Sequence, residues 1–260
     1  MKRISVYIIS LLALLNCVPA PGQEKEVPLD SVIVPLKIRA ALEIAGPVLY
    51  FTDKNILNLE AYVTADLDEK KSLYFGAGYS DYNYSQYNYS FLAKGSFLKA
   101  GIDFNLLRPE IAEGKYWAGL GIHYGLSRFT SETPVLNHDN YWGSVSSSLP
   151  QEKNWAHFLE VAGGFKAEVF TNFSIGWLIS IRKLIYTGAS KDLRPIYYPG
   201  YGEGGNTLTY GLSYFISYNI PFRKIKVAIK PEPVEEEELD EDGENQETQR
   251  RQIGRQGIGN

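Results

Sequence analysis

From Val34 to Phe222 apolar and polar residues alternate with a period of two, in runs separated by turn-rich connectors. That period marks half-buried strands and argues against amphipathic helices. The runs lie at 34 to 45, 56 to 66, 73 to 82, 94 to 106, 115 to 129, 156 to 170, 173 to 185 and 207 to 220. In the fifth, Tyr116, Ala118, Leu120, Ile122, Tyr124 and Leu126 point one way, against Trp117, Gly119, Gly121, His123, Gly125 and Ser127. The eighth sets Leu208, Tyr210, Leu212, Tyr214, Ile216, Tyr218 and Ile220 against Thr209, Gly211, Ser213, Phe215, Ser217 and Asn219. One face suits lipid and the other is small or polar. An even number of strands of this length closes an antiparallel membrane barrel. The fold class expected is all-β: an eight-stranded antiparallel transmembrane β-barrel with a disordered C-terminal tail.

The connectors support that picture by alternating in length. Asp68 to Ser72, Leu107 to Gly114 and Thr171-Asn172 are short, whereas Gly46 to Asn55, Asp81 to Ala93, Thr130 to Trp155 and Tyr186 to Asn206 are generally longer. Short turns toward the periplasm and long loops toward the medium are the habit of outer-membrane barrels. Both termini are then expected to be periplasmic. Tyr116, Phe104, Phe173 and Tyr218 fall toward the short-turn end and Tyr79, Tyr124 and Tyr210 toward the other, as interfacial girdles would.

Charge separates the two faces further. Within the strands Lys37, Arg39, Glu43, Glu60, Asp66, Lys99, Asp103, Glu160, Lys166, Glu168 and Arg182 all fall on the small, polar face. Leu36, Ile38, Leu42, Leu57, Leu59, Leu98, Ile102, Leu159, Val161, Ile175, Trp177 and Ile179 belong to the other. A barrel of eight strands has an interior just filled by side chains, so Gly76, Gly78, Gly101, Gly119, Gly121 and Gly164 are read as making room for the long charged ones. Charge in a dry lumen must be paired. Pairing residue 37 with 66 would bring Lys37 to Asp66, and Arg182 is within reach of Glu160. A closed polar core is therefore favoured over a solute pore. The same polar face would also suit the water side of a soluble sandwich or lipocalin-like barrel; the export signal, strand-end aromatics and loop asymmetry favour the membrane.

The ends of the chain differ in composition. Lys2 and Arg3 precede an apolar run from Ile4 to Leu15, too short to span a bilayer, and a small-x-small pattern follows at Ala20-Pro21-Gly22. Residues 1–22 read as a signal peptide and 23–33 as an N-terminal periplasmic segment ahead of a barrel over 34–222. Cys17 offers a lipoprotein signal as the alternative, but Asn16 stands before it where a small residue is required. Cys17 is the only cysteine. A mature chain cut after Gly22 would hold no disulfide or cysteine metal site. Residues 223–260 carry Arg223, Lys224 and Lys226, then Glu235 to Glu238, and then Arg250, Arg251 and Arg255. Such a run cannot bury a core and reads as a charged periplasmic tail. The net charge of −4 gives no reason to expect nucleic acid as partner.

Candidate chemistry is sparse. No cofactor and no metal site are expected. His123 is inward and mid-strand, where a satisfied core histidine is the plainer reading, and His138 lies in a long connector. His157, at the outer end of its strand, is the one weak catalytic candidate, with no serine or carboxylate assignable to it by spacing. Tyr84, Tyr87, Tyr89, Tyr141, Trp142, Trp155, Tyr197, Tyr198 and Tyr201 cluster in the long connectors. Two readings stay open for them: a surface that stacks on an extracellular glycan or protein, or a cap over the barrel mouth.

Thr209-Tyr210-Gly211-Leu212-Ser213-Tyr214-Phe215-Ile216 resembles the signal by which outer-membrane assembly machinery recognises a last strand, followed here by further residues. Tyr124-Gly125-Leu126-Ser127, Trp155 to Gly164, Asn172-Phe173-Ser174-Ile175-Gly176-Trp177 and Tyr198-Pro199-Gly200-Tyr201-Gly202 resemble an uncharacterised outer-membrane β-barrel family of Bacteroidota, domain of unknown function 6048. The resemblance covers roughly Val34 to Phe222. It implies fold and address and attaches no activity. The functional expectation is a structural or surface-interaction barrel, not an enzyme, with outer-membrane lipid and the assembly machinery as partners. A small-solute channel, a lipid-modifying enzyme and a soluble secreted β-protein are the alternatives.

Overall fold

A strand with one apolar and one polar face buries only one of them, and eight such strands do so by rolling into a ring. In the computed structural model, which describes residues 31–229 except 113 and 190–193, the ring is closed. Its strands are β1 (Ser31–Glu43), β2 (Ile56–Asp66), β3 (Lys71–Gln86), β4 (Tyr89–Asn105), β5 (Tyr116–Asn140), β6 (Gly143–Phe170), β7 (Phe173–Thr187) and β10 (Leu208–Ala228). Each pairs antiparallel with its neighbours, and β10 closes the ring against β1. A two-residue pair, β8 (Tyr197–Tyr198) with β9 (Gly202–Glu203), lies in the last long connector. Helix α1 (Ala45–Thr52) follows β1, and the single turn α2 (Pro109–Ala112) lies between β4 and β5. Among the described residues no helix is long and apolar enough to cross a membrane.

The polarity of the ring is inverted relative to a soluble barrel. Leu42, Val63, Phe75, Leu98, Leu120, Ile122, Val161, Ile179, Ile181, Leu212 and Ile220 are exposed on the outside. Lys37, Glu43, Glu60, Asp66, Lys99, Asp103, Glu160 and Lys166 are buried inside, with Arg39, Glu168 and Arg182 partly so. Tyr116 and Tyr218 are exposed toward the end carrying the short turns, and Tyr79, Tyr124 and Tyr210 toward the end carrying the long connectors. These are called the turn end and the loop end below.

Four boundaries differ from the sequence reading. Residues 81–93 and 130–155 are largely strand: β3 runs on to Gln86 and β5 to Asn140, and they return as β4 and β6 after Tyr87-Asn88 and Tyr141-Trp142. Apart from Phe91, Leu92 and Ala93 these extensions carry few apolar residues, so no apolar alternation marks most of their length, but cross-strand pairing still satisfies their backbone. The connector after β1 holds α1, and Glu43 ends the strand by accepting the backbone N–H groups of Ala45 and Gly46, each at 2.8 Å. β10 continues past Phe222 to Ala228, opposite Ser31. The signal peptide, Cys17, most of the segment over 23–33 and the tail from Lys230 lie outside the described residues.

Leu36, expected outside, is buried. The register of β1 on β10 slips there, from Leu36 opposite Arg223 to Lys37 opposite Pro221, and the irregularity breaks the alternation so that Leu36 and Lys37 both turn from solvent.

Candidate functional site

Ionisable side chains directed into a ring this narrow meet one another, and the register decides which. Glu160 and Arg182 stand opposite each other on β6 and β7, and Arg182 Nε donates to Glu160 Oε2 at 2.6 Å. Lys99 of β4 donates to the same oxygen at 3.0 Å and to Glu60 of β2 at 2.8 Å. Glu60 also accepts from the Tyr74 hydroxyl at 3.1 Å. The other oxygen of Glu160 lies 3.0 Å from His123 Nδ1, while His123 Nε2 lies 2.9 Å from Asp103. With a carboxylate at each ring nitrogen, both bonds form only when both nitrogens carry protons. Asp103 leads on to Lys166 at 3.6 Å, whose ammonium lies over the rings of Trp117 and Tyr62. One connected network thus crosses the lumen from β2 to β7.

Aromatic rings fill the space beside these charges. Tyr74 stacks on His123 at 3.9 Å and on Tyr62 at 5.0 Å, and Phe215 meets Tyr62 edge-on. Ala41, Trp117 and Leu178 complete this layer. Toward the turn end a second group takes over. Lys37 pairs with Glu168, Arg39 with Asp66, and Asp66 accepts the backbone N–H of Lys37 and the Ser72 hydroxyl. The 37-to-66 pairing is therefore met by a backbone bond, while the Lys37 ammonium goes to Glu168 and Asp66 takes Arg39 instead. Glu43 stands apart, organising the start of α1.

At the loop end the chain folds back into its own mouth. Tyr198 and Tyr201 are completely buried and pack with Phe129, Ala156 and Phe158. The Tyr201 carbonyl accepts from Thr209 Oγ1 at 2.8 Å and from Arg182 at 3.4 Å, tying the cap to the charged network. Gly200 makes the fold-back possible: its φ is +76°, and a Cβ there would lie 2.4 Å from the Phe97 ring. Burial raises the hydroxyls of Tyr198 and Tyr201 above the ordinary tyrosine range.

A family match spans residues 4–225, most of the chain. The chain belongs to the family described as Domain of unknown function (DUF6048). Comparison with curated proteins finds no match. Among solved structures, this DUF6048 chain is similar to the attachment invasion locus protein Ail of Yersinia pestis, at 13% identity over 75% of this chain and 100% of that one, with a TM-score of 0.36. It is also similar to a major outer membrane protein from Thermus thermophilus, at 11% identity over 72% and 98% with a TM-score of 0.41. The N-terminal β-barrel domain of Pseudomonas aeruginosa OprF is similar at 11% identity over 74% and 100%, with a TM-score of 0.30.

The connector aromatics of this DUF6048 barrel divide into three groups. Tyr198 and Tyr201 are inside the mouth, and Tyr197 stacks on Tyr82 at its edge, 4.5 Å between ring centres. Tyr87, Tyr141 and Trp142 are almost fully exposed at the tips of the β3–β4 and β5–β6 hairpins. Tyr84 and Tyr89 are half-buried against each other, and Trp155 lies outside beneath the Arg128 guanidinium. His157 faces outward, hydrogen-bonded to the Tyr124 hydroxyl, while Glu160 faces the lumen. Among the described residues no group of three or more His, Cys, Asp or Glu is arranged to hold a metal.

The sequence reading left the lumen aromatics and the linking role of His123 out of the network. Alternation places Tyr62 on the face of Glu60 and Tyr74 on that of Gly76, which could have revealed them. The inward glycines also prove to serve more than long charges: a Cβ on Gly78 would strike the Phe97 ring at 2.2 Å, and one on Gly121 would strike Asp103 at 2.3 Å and His123 at 2.6 Å.

Proposed function

We propose that this protein is an outer-membrane β-barrel with a sealed interior and no enzymatic role, whose outward hairpins contact an extracellular glycan or protein. The observation carrying this reading is the inverted polarity of the ring: a continuous apolar exterior around a charged, ion-paired interior. Such an exterior is favourable only in lipid, and a closed barrel is one of the two structures that satisfy their backbone there. β1 begins and β10 ends at the turn end. Facing that end to the periplasm puts both termini and the charged tail there, and the exposed Tyr87, Tyr141 and Trp142 outside. The assembly machinery would engage β10, whose Tyr210, Leu212, Tyr214 and Ile216 face outward. Membrane fractionation with heat-modifiable gel migration tests the address. The protein should sediment with outer membranes and migrate faster unheated than boiled; a soluble protein with a single mobility would refute the proposal.

A further inference from the structure

A lipid-facing wall has no use for cations unless something anionic meets them. On the loop-end half of this wall Lys94, Arg128, Lys153 and Lys183, on β4 to β7, are all directed outward. His157 lies among them. Lys94, Arg128, His157 and Lys183 form a regular diagonal, with Lys153 beside Thr130 on its loop-end side. Lys94 pairs with Thr130, and Arg128 lies two residues from Thr130 toward the turn end. Arg128 pairs with Trp155, and His157 lies two residues beyond it in the same direction. Two residues further along β6 comes Leu159, which pairs with Lys183. Strands in a barrel are tilted and staggered, so a descending diagonal of this kind runs close to one height around the wall.

That height is the edge of the apolar belt. Toward the turn end the same strands present Ile122, Leu159, Val161, Ile179 and Ile181. Gly163, outward between Leu120 and Ile179 in register, adds no side chain of its own to this belt and is covered by Leu120, whose Cδ2 lies 3.0 Å from where a Cβ would stand. The opposite half of the wall carries Leu57, Tyr79 and Tyr210 near the same edge and no cation of this kind among the described residues. Lys94 has acidic company, Asp81 opposite it in register and Glu132 lining the same cleft. Among the described residues Lys153 and Lys183 have no ion-pair partner, and Arg128 lies over Trp155, 5.2 Å from its ring centre. Tyr124 and Tyr186 flank His157, the first by a hydrogen bond and the second edge-on at 5.7 Å.

We propose that this face of β5, β6 and β7 binds a phosphorylated lipid of the loop-end leaflet, its phosphorylated headgroup held by Arg128, His157 and Lys183 and its acyl chains along the apolar belt beside them. The inference rests on the membrane reading above and adds a site and a ligand class to it. Adjacent strands are about 4.8 Å apart and the diagonal steps two residues per strand, so the backbones of Arg128 and Lys183 lie about 16 Å apart with that of His157 between them, a span that the long arginine and lysine side chains narrow toward the scale of a phosphorylated headgroup. Arginine's planar fork and the lysine ammonium make charge-assisted bonds to phosphate oxygens, and their apolar stems lie along the belt.

Native mass spectrometry of the purified full chain in a neutral detergent tests the site, with lipid A carrying both phosphates, the same lipid dephosphorylated, and inorganic phosphate as probes. The unaltered protein should retain the phosphorylated lipid at least about tenfold better than the dephosphorylated one, and inorganic phosphate should not displace it. Arg128→Gln with Lys183→Gln should remove that preference while unheated migration stays fast; Lys54→Gln, a loop cation outside the patch, should leave it intact. Equal retention of the two lipids by the unaltered protein, displacement by inorganic phosphate, or undiminished preference in the double variant would overturn the site. An unaltered protein without a heat-dependent shift would overturn the membrane reading as well, so the two failures are distinguishable.

Discussion

Glu160 is the residue on which the interior turns. Arg182, Lys99 and His123 all reach its carboxylate, and it is nearly fully buried. Removing one partner of a buried ion pair leaves the others uncompensated, which typically costs about 3–5 kcal/mol. Glu160→Ala should therefore lower the stability of the barrel by that order, measured from the urea midpoint in lipid vesicles, and a loss below about 1 kcal/mol would mean that the lumen is solvated. The Glu160–Arg182 contact was legible in the sequence, because two inward charges on consecutive strands need only a register to meet. The links through His123, Asp103 and Lys166 were not. They join strands distant in sequence, and only closure of the ring brings them together.

At the scale of elements, alternation revealed the spanning strands, since each has lipid on one side and core on the other. It failed where few residues are apolar on either side, in most of the extensions of β3 to β6, and where a connector turns inward, as the 197–201 cap does. The turns are equally specific. Asn172, between β6 and β7, has a φ of 63° and accepts the backbone N–H of Asn219 at 2.7 Å. Asn172→Gly should be close to neutral while Asn172→Val costs about 1–2 kcal/mol, because a β-branched side chain resists the left-handed conformation; equal midpoints for the two variants would contradict this geometry. In the cap, Gly200→Ala combines that backbone conformation with a collision against Phe97. It should release the cap without opening the ring. Limited proteolysis would then cut within 188–207 faster than in the unaltered protein, with heat-modifiable migration retained, and an unchanged cleavage rate would show that the cap does not depend on Gly200.

The whole molecule is closed in two independent ways. Ion pairs and aromatic rings fill its middle, and the Tyr198–Tyr201 segment is seated in its mouth. Either alone would obstruct a solute, and together they leave the exterior and the hairpin tips as the surfaces available for interaction. The balance of inward cations and carboxylates already pointed to a closed core in the sequence; the second seal depended on the fold-back at Gly200 and could not be read from alternation. Single-channel recording in planar bilayers tests the sealed barrel most directly, with incorporation of folded protein established by heat-modifiable migration of the recovered sample. The unaltered protein should give a trace indistinguishable from the bare bilayer; reproducible, steady conductance steps would contradict a filled lumen.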